Sequence, residues 1–569
     1  MSTNESFFLD VSAEHAPVVA AFRAAMGLPA VAAVQAVDYH SSGRTLIIGP
    51  ADIALDWAER LKDRLDISVL MTEARGNEEL PPLNTYPLCG GCDVSVKGWL
   101  GNFSVSWQEA PIPPHGEMGA LDFSRTEARS EKYDLVFDLS REALIRLPHP
   151  PQGYFAAGRD PVEQFDAVLK LTTMVGEFEK PRFFDYKAEQ CAHARNRIEG
   201  CNKCIDICST GAITAKDDGV SIEPHLCMGC GACASACPSG AMRYAYPSVP
   251  ELGLRLKTML SAYQNAGGED AVIVFHDRKG EDWLLRRAHR LGLPGNLLPV
   301  GVHDIASLGP DLLLGALCYG AAHVVVLQVD EMPEAYTANL QRQMMLVKTI
   351  VSGFGYPESS CRLVDGREGA DGFAIPDGQA VCLSPASFNL FADKRRTLEF
   401  CIDHLQAQVA NATQPVELIV LPADAPFGTL GINTNSCTLC MACVGACPAK
   451  ALQDNPELPQ LRFIEHNCVQ CGICVDTCPE KALTKTARLL LTPEAKKAVV
   501  LNEAKPFHCI RCAKPFGTQA MVDGMLKRLS GHSLFADGAA LKRLQMCGDC
   551  RVVDMLESKN EMTVEDLPR

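Results

Sequence analysis

The chain is 569 residues long, enough for roughly four domains of about 150 residues each. Its hydrophobic share of 47%, charged share of 21% and mean hydropathy of +0.01 exclude a disordered chain and an integral membrane protein. A net charge of −16 repels nucleic acid and anionic lipid, and the longest apolar run, Leu312 to Leu327, is 16 residues interrupted by Gly315, Gly320 and His323, short of the ~20 that span a bilayer.

Twenty-six cysteines are the informative excess, and most are bunched at two-residue gaps. Disulfide frameworks do not space cysteines this way, whereas reduced thiols that hold metal do. Met1 to Met26 lacks a basic segment leading into an apolar one, and Arg395-Arg396 lies too deep for a twin-arginine signal, so a cytoplasmic location is expected.

Residues 1–186 form the first expected unit. Within it Thr45 to Ile48 read as a strand, Ala51 to Arg64 as a helix and Ile67 to Met71 as a second strand, with Gly49 at the first turn. The pattern is Rossmann-like. Its turn, Gly49-Pro-Ala-Asp-Ile-Ala54, stands where G-x-G-x-x-G would admit a pyrophosphate, and Asp52 adds repulsion, so FAD and NAD(P)H are not expected cofactors. Pro-rich stretches at 110–114 and 147–151 mark loops. Cys89-Gly-Gly-Cys92 has dithiol spacing and reads as a redox dithiol, as a Gly-rich turn carrying two small thiols, or as part of a site completed by another chain.

Residues 187–245 carry Cys227-x2-Cys230-x2-Cys233-x3-Cys237-Pro238, preceded by Cys201-x2-Cys204-x3-Cys208. The earlier run lacks its first cysteine, and Ser209 stands where proline is expected. Cys191, with nine residues between it and Cys201, supplies the missing thiol if an inserted loop returns it. In paired runs of this kind the last cysteine crosses to the other cluster. Cys191, Cys201, Cys204 and Cys237 are therefore grouped as one 4Fe-4S set, and Cys227, Cys230, Cys233 and Cys208 as its partner.

Residues 252–366 read as a βαβαβαβ domain. Strands at Ala271–Phe275, Leu297–Val302, His323–Gln328 and Arg362–Asp365 alternate with helical stretches near 280–291, 309–320 and 334–352. His276, His303 and His323 at strand ends read as hydrogen-bonded structure. Cys318, Cys361, Cys382 and Cys401 have no spacing partners and read as core residues. Residues 367–429 are expected to connect.

Residues 430–485 repeat the device with Cys437-x2-Cys440-x2-Cys443-x3-Cys447-Pro448 and, twenty residues later, Cys468-x2-Cys471-x2-Cys474-x3-Cys478-Pro479. Crossed ligation groups Cys437, Cys440, Cys443 and Cys478 as a third set, and Cys468, Cys471, Cys474 and Cys447 as a fourth. In residues 500–555, Cys509-x2-Cys512 and Cys547-x2-Cys550 form two knuckles 34 residues apart. That spacing suits tetrahedral zinc, with iron as the competing metal.

The segments 187–245 and 430–485 closely resemble bacterial-type two-cluster ferredoxins, covering roughly a fifth of the chain. The resemblance implies pseudo-twofold halves whose return strands start at residues 211–214, 240–243, 450–453 and 481–484. Pro299 to Val326 resembles the hydrogenase delta-subunit family, whose cysteines follow the first and third strands. Here those positions hold His276-Asp-Arg-Lys and Val329-Asp-Glu-Met, which implies a docking scaffold without a cluster. The whole architecture resembles large cytoplasmic iron–sulfur proteins found with formate dehydrogenases.

The fold class is thus multidomain α/β and α+β: two ferredoxin-like modules, a Rossmann-like N-terminal region, a βαβ middle domain and a small zinc-ribbon-like C-terminal unit. Four 4Fe-4S clusters and one Zn2+ are the expected cofactors. The expected function is one-electron transfer between redox proteins, such as a formate dehydrogenase or another molybdenum or flavin enzyme. No Walker loop, HExxH, C-x-x-C-H or nucleophile triad is present, so the chain reads as a carrier or non-catalytic subunit. The alternatives are a flavin- or NAD(P)H-dependent oxidoreductase subunit and a maturation factor for a redox enzyme.

Overall fold

The computed structural model describes residues 16–74, 85–112, 121, 126–195, 198–368, 384–409, 416–532, 535 and 538–557. Cys382 and the end of the 110–114 stretch lie outside them. Among the described residues no helix is long and apolar enough to cross a membrane.

Arg44–Pro50 is buried along almost its whole length, as a strand covered on both faces must be. It pairs in parallel with Asp66–Glu73 and Leu135–Asp138 at the middle of a seven-stranded sheet. The order is Glu127–Tyr133, Phe103–Ala110, Leu88–Lys97, Asp66–Glu73, Arg44–Pro50, Leu135–Asp138, Tyr154–Ala156. The first three strands are antiparallel, and Phe103–Ala110 alternates buried and exposed residues over its first half. The strand–helix–strand expected at 45–71 is present, with its helix at Ala51–Leu61. That helix and Pro161–Leu171 cover one face through Ala54, Trp57, Ala58, Leu61, Ala167 and Leu171. Trp57 Nε1 donates to Gln164 Oε1 at 2.8 Å, joining the two helices. Gly49 is needed for close packing: a Cβ there would stand 2.8 Å from the Leu139 Cβ.

The middle domain has four parallel strands, ordered Leu297–Gly301, Val272–His276, His323–Gln328, Cys361–Asp365, with helices Arg278–Leu291, Pro310–Cys318 and Glu334–Gly353 between them. Continuous apolar runs such as His323–Gln328 are buried throughout. Two boundaries differ from the sequence expectation. Helix Ala16–Met26, inside the expected 1–186 unit, contributes Val18, Ala21, Phe22 and Ala25 to the middle-domain core. The expected connecting segment contains helix Lys394–Val409, whose Leu398, Cys401, Ile402 and Leu405 enter the same core. Both helices are amphipathic, and tertiary burial, not chain proximity, decides what they pack on. Cys318, Cys361 and Cys401 are fully buried in that core.

Each ferredoxin-type module consists of two antiparallel strand pairs and two short helices. In the first, Phe184–Tyr186 pairs with Met242–Tyr244 and Ile213–Lys216 with Gly219–Ile222. In the second, Gly428–Ile432 pairs with Leu483–Leu490 and Leu452–Asp454 with Gln460–Phe463. The return strands begin where the sequence places them.

Candidate metal centres

Three of the Cys-x-x-Cys-x-x-Cys runs fold by one local device: two left-handed residues turn the loop so that its sulfurs face one point. These are Gly229 and Gly231, Leu439 and Met441, and Gln470 and Gly472, with φ between 54° and 87°. Three are not glycine, a strain of about 1–2 kcal/mol each that the converging loop must offset. A five-residue helix carries the third cysteine of each run, Cys233, Cys443 or Cys474, and the next cysteine, Cys237, Cys447 or Cys478, caps it in an extended conformation.

One cysteine in each of the four expected sets, or cages, lies close enough to the other thiols of its set to be affected by them. In the first, burial and the neighbouring thiols of Cys237, Cys201 and Cys191 push Cys204 up to about 12. In the second, burial and then Cys230, Cys227 and Cys208 push Cys233 well above its ordinary value. In the third, burial followed by Cys440, Cys437 and Cys478 raises Cys443 to about 12. In the fourth, burial followed by Cys471, Cys468 and Cys447 raises Cys474. Thiols crowded and desolvated in this way resist ionisation unless a cation or cluster takes the proton's place.

Smaller couplings set the order of the cages. Cys233 of the second also feels Cys204 of the first, and Cys474 of the fourth feels Cys443 of the third. Cys201 of the first, raised to about 11 mainly by burial, feels Cys471 of the fourth across the module boundary. The sequence is therefore second, first, fourth, third.

The irregular Cys191–Cys201 spacing has a structural explanation. Ala194–Arg195 and Ile198–Glu199 pair as a tight antiparallel hairpin, and Cys201 N donates to Ala192 O at 2.8 Å, so the insertion returns the chain beside Cys191. Its Gly200 lies against the second module, where a Cβ would stand 3.1 Å from Ile473 Cβ.

Donors point at the sulfurs, as thiolate ligands require. Backbone N–H groups of Met242, Ala451 and Ala482 reach Cys237, Cys447 and Cys478 Sγ at 3.5, 3.3 and 3.3 Å. Gln470 Nε2 reaches Cys468 Sγ at 3.4 Å. Tyr336, on the middle-domain helix Glu334–Gly353, donates its hydroxyl to Cys230 Sγ at 2.9 Å. Its hydroxyl also meets Ser209 Oγ, which lies 2.9 Å from His149 Nδ1. Tyr336 escaped the sequence reading because it stands 106 residues from Cys230. The one local signal was Ser209 in the position of the expected proline. Thiols lined by such donors fit an iron–sulfur cluster, and each of the four expected sets has at least one sulfur that accepts from a backbone or side-chain donor.

The four C-terminal cysteines form a separate site. Ligand atoms of Cys509, Cys512, Cys547 and Cys550 lie within 4.8 Å of one another. Pro506–His508 and Pro515–Thr518 pair as a hairpin around the first knuckle, and the second opens helix Gly548–Glu557. Burial opposes ionisation of Cys509, but backbone N–H groups of Cys547, Cys512 and Arg511 bring its thiol down to about 6.

The dithiol reading of Cys89 and Cys92 is corrected. Both lie in strand Leu88–Lys97, in register with Phe103–Ala110, not in a turn. Three residues of extended chain separate their Cα atoms by about 10 Å, on opposite faces, beyond disulfide reach. Burial and the nearby Glu109 carboxylate raise Cys89 to about 11, away from the range of a reactive thiolate. The three strand-end histidines are held by carbonyls: His276 by Asp277 at 3.0 Å, His323 by Ser359 at 3.1 Å and His303 by Met228 at 3.4 Å.

Comparison with known proteins agrees with this geometry. Residues 199–241 and 436–483 each match the model of a 4Fe-4S dicluster domain. Over 76 residues, 13% of the chain, it is 38% identical to Protein NrfC of Escherichia coli (strain K12), covering 30% of that protein; the same figures hold for Protein NrfC of Shigella flexneri. Hydrogenase-4 component A of Escherichia coli (strain K12) is 41% identical over 39 residues, 7% of this chain and 19% of the relative. The chain thus spans less than a third of the length of the curated relatives it matches. It carries two 4Fe-4S dicluster domains of the ferredoxin type.

Proposed function

We propose that the chain is a conductor with four cluster sites. Cys191, Cys201, Cys204 and Cys237 hold one; Cys208, Cys227, Cys230 and Cys233 the second; Cys437, Cys440, Cys443 and Cys478 the third; Cys447, Cys468, Cys471 and Cys474 the fourth. When bound, a 4Fe-4S cluster takes up and releases one electron at a time with little rearrangement. The protein's part is to desolvate the cages, donate hydrogen bonds to their sulfurs and hold neighbouring cages together. The observation that carries the reading is that the two dicluster domains meet beside their cysteines: at Gly200, next to Cys201, a Cβ would stand 3.1 Å from the Cβ of Ile473, which lies between Cys471 and Cys474.

The two ends differ. Cys440 of the third cage is exposed, whereas Cys208, Cys227, Cys230 and Cys233 of the second are each only partly exposed, with middle-domain Ala306 and Tyr336 packed against Cys233. The third cage is therefore the proposed point of exchange with an external partner. An acidic chain engages a partner of complementary charge there. The resemblance to proteins found with formate dehydrogenases, and a relative named as a hydrogenase component, support a cytoplasmic molybdenum, flavin or hydrogenase-type enzyme as that partner. The middle domain serves as a docking scaffold, and the C-terminal four-cysteine site takes zinc as a structural staple.

Anaerobic purification followed by iron, sulfide and zinc analysis, with EPR of the reduced protein, tests this. About sixteen iron and one zinc per chain are expected. About eight iron means that a whole module is empty and the conductor reading is wrong.

A further inference from the structure

Helix Lys394–Val409 starts in the seam between the two modules, and its first two residues reach one module each. Lys394 is 9% exposed. Its Nζ donates to the carbonyls of Ala234, Ser235 and Cys237 at 2.6, 2.9 and 3.2 Å, at the end of the short helix that presents Cys237 to the first cage. Arg395 donates from Nη1 to Pro426 O at 2.6 Å, and from Nη2 to His466 O at 2.8 Å and Cys468 O at 3.2 Å. Its guanidinium lies 4.2 Å from the centre of the Phe427 ring. One dipeptide thus grips the main chain of a first-cage cysteine and of a fourth-cage cysteine. These are the two cages that meet across the module boundary.

The nearby carboxylates Asp393 and Glu399 act on Arg395 but hold their close ion pairs and hydrogen bonds with other groups. Asp393 lies 3.6 Å from Arg243 and accepts from Arg396 N, and Glu399 pairs with Lys496 and His466. The buried Asp311 carboxyl faces Lys394, and its burial favours the neutral form. A second observation makes the arrangement more than a packing accident. In the first module Lys180 donates to His225 O and Cys227 O, both at 2.8 Å. These carbonyls stand two residues before, and at, the first cysteine of a run, as His466 and Cys468 do for Arg395. Unrelated parts of the chain deliver a cation to the same place in both modules.

We propose that Lys394 and Arg395 form a dibasic clasp that fixes the two modules against each other and raises the reduction potentials of the clusters in the first and fourth cages. The inference rests on the cages being cluster sites. Reducing a cluster adds negative charge inside a medium of low dielectric, so a fixed cation stabilises the reduced form. Carbonyl ligation keeps both cations in place before the electron arrives, so none of that stabilisation is spent on reorganisation.

The test uses the full chain, prepared anaerobically as wild type, Arg395→Gln, Lys394→Met and Arg395→Lys. Iron and sulfide are measured first, then EPR-monitored potentiometric titrations, with signals assigned through Cys471→Ser, Cys204→Ser and Cys440→Ser. With full iron, Arg395→Gln should disfavour reduction of the fourth-cage cluster about tenfold, 59 mV for one electron. Lys394→Met should do the same at the first cage, and the third-cage signal should stay put. Arg395→Lys, which keeps the charge, should stay within about threefold of wild type. Unmoved potentials in both neutral variants at full iron overturn the proposal. If Arg395→Gln loses iron, retention in Arg395→Lys supports the clasp and loss in both overturns it. A wild-type chain without iron defeats the cluster reading instead.

Discussion

The first ferredoxin-type module is walled in by the rest of the chain. Lys180 from the N-terminal region and Tyr336 from the middle domain both touch the main chain or sulfur of its cysteines, and none of its cysteines is exposed. The second module, with the same strand pairs and helices, keeps Cys440 exposed, and its carboxylate Glu465 is neutralised at the surface by Arg488 at 2.7 Å. Two copies of one local fold therefore sit in different dielectric and hydrogen-bonding environments. Cluster potentials respond to solvent exposure and hydrogen bonds, so duplicated motifs need not give duplicated redox properties.

The harshest challenge to this contrast is to remove a ligand on each side. Cys230→Ser and Cys437→Ser should each cost about four iron of sixteen and impair the neighbouring cage, with the larger loss of thermal stability in Cys230→Ser because Cys230 packs on Tyr336 and Ala306 of the middle domain. Unchanged iron in either variant refutes the ligand map.

Next in size is a wedge at the boundary. In Gly200→Val the new Cβ meets Ala192 O at 2.9 Å and Ile473 Cβ at 3.1 Å. It should lower stability by about 1–3 kcal/mol in a urea melt and weaken spin coupling between modules while sparing coupling within each. Coupling as strong as in wild type means that the modules do not meet there.

Tyr336→Phe sharpens the comparison more gently. It deletes one hydrogen bond to Cys230 Sγ, worth about 1 kcal/mol, so the second-cage cluster alone should become harder to reduce. A potentiometric titration in which that signal does not move removes Tyr336 from the account.

The smallest effect concerns Asp304, beside the second cage. Burial raises its pKa from 3.8 to about 6, so the folded protein holds this proton more tightly than the unfolded chain. Its contribution to stability is therefore full below about pH 3.8 and is lost as pH rises through about 6. Asp304→Asn keeps an acceptor for Ala306 N, at 2.8 Å in the wild type, and should gain stability over wild type at pH 8 but not at pH 4. Equal differences at both pH values contradict the burial argument.

Much of the site was legible because it is local. Cysteines three and four residues apart, with left-handed residues between them, can converge without any help from distant parts of the chain, and even the Cys191 detour closes within eleven residues. The parallel strands of the middle domain were equally plain, since continuous apolar runs separated by helical stretches admit few other arrangements. Cys89-Gly-Gly-Cys92 misled for the converse reason: spacing alone does not distinguish a loop from an extended strand, and pairing with Phe103–Ala110 selected the strand.

The amino-acid sequence by itself determined the two dicluster cysteine modules, the four C-terminal cysteines and the alternation of strands and helices, all set by neighbours a few residues apart. Tertiary structure alone decided that the first and fourth cages adjoin and that helix Ala16–Met26 joins the middle core. It also brought Tyr336, Lys180, Lys394 and Arg395 to the cysteines. Those contacts join residues 47 to 157 positions apart, with partners chosen by burial and charge compensation in the folded chain and by no pattern along it.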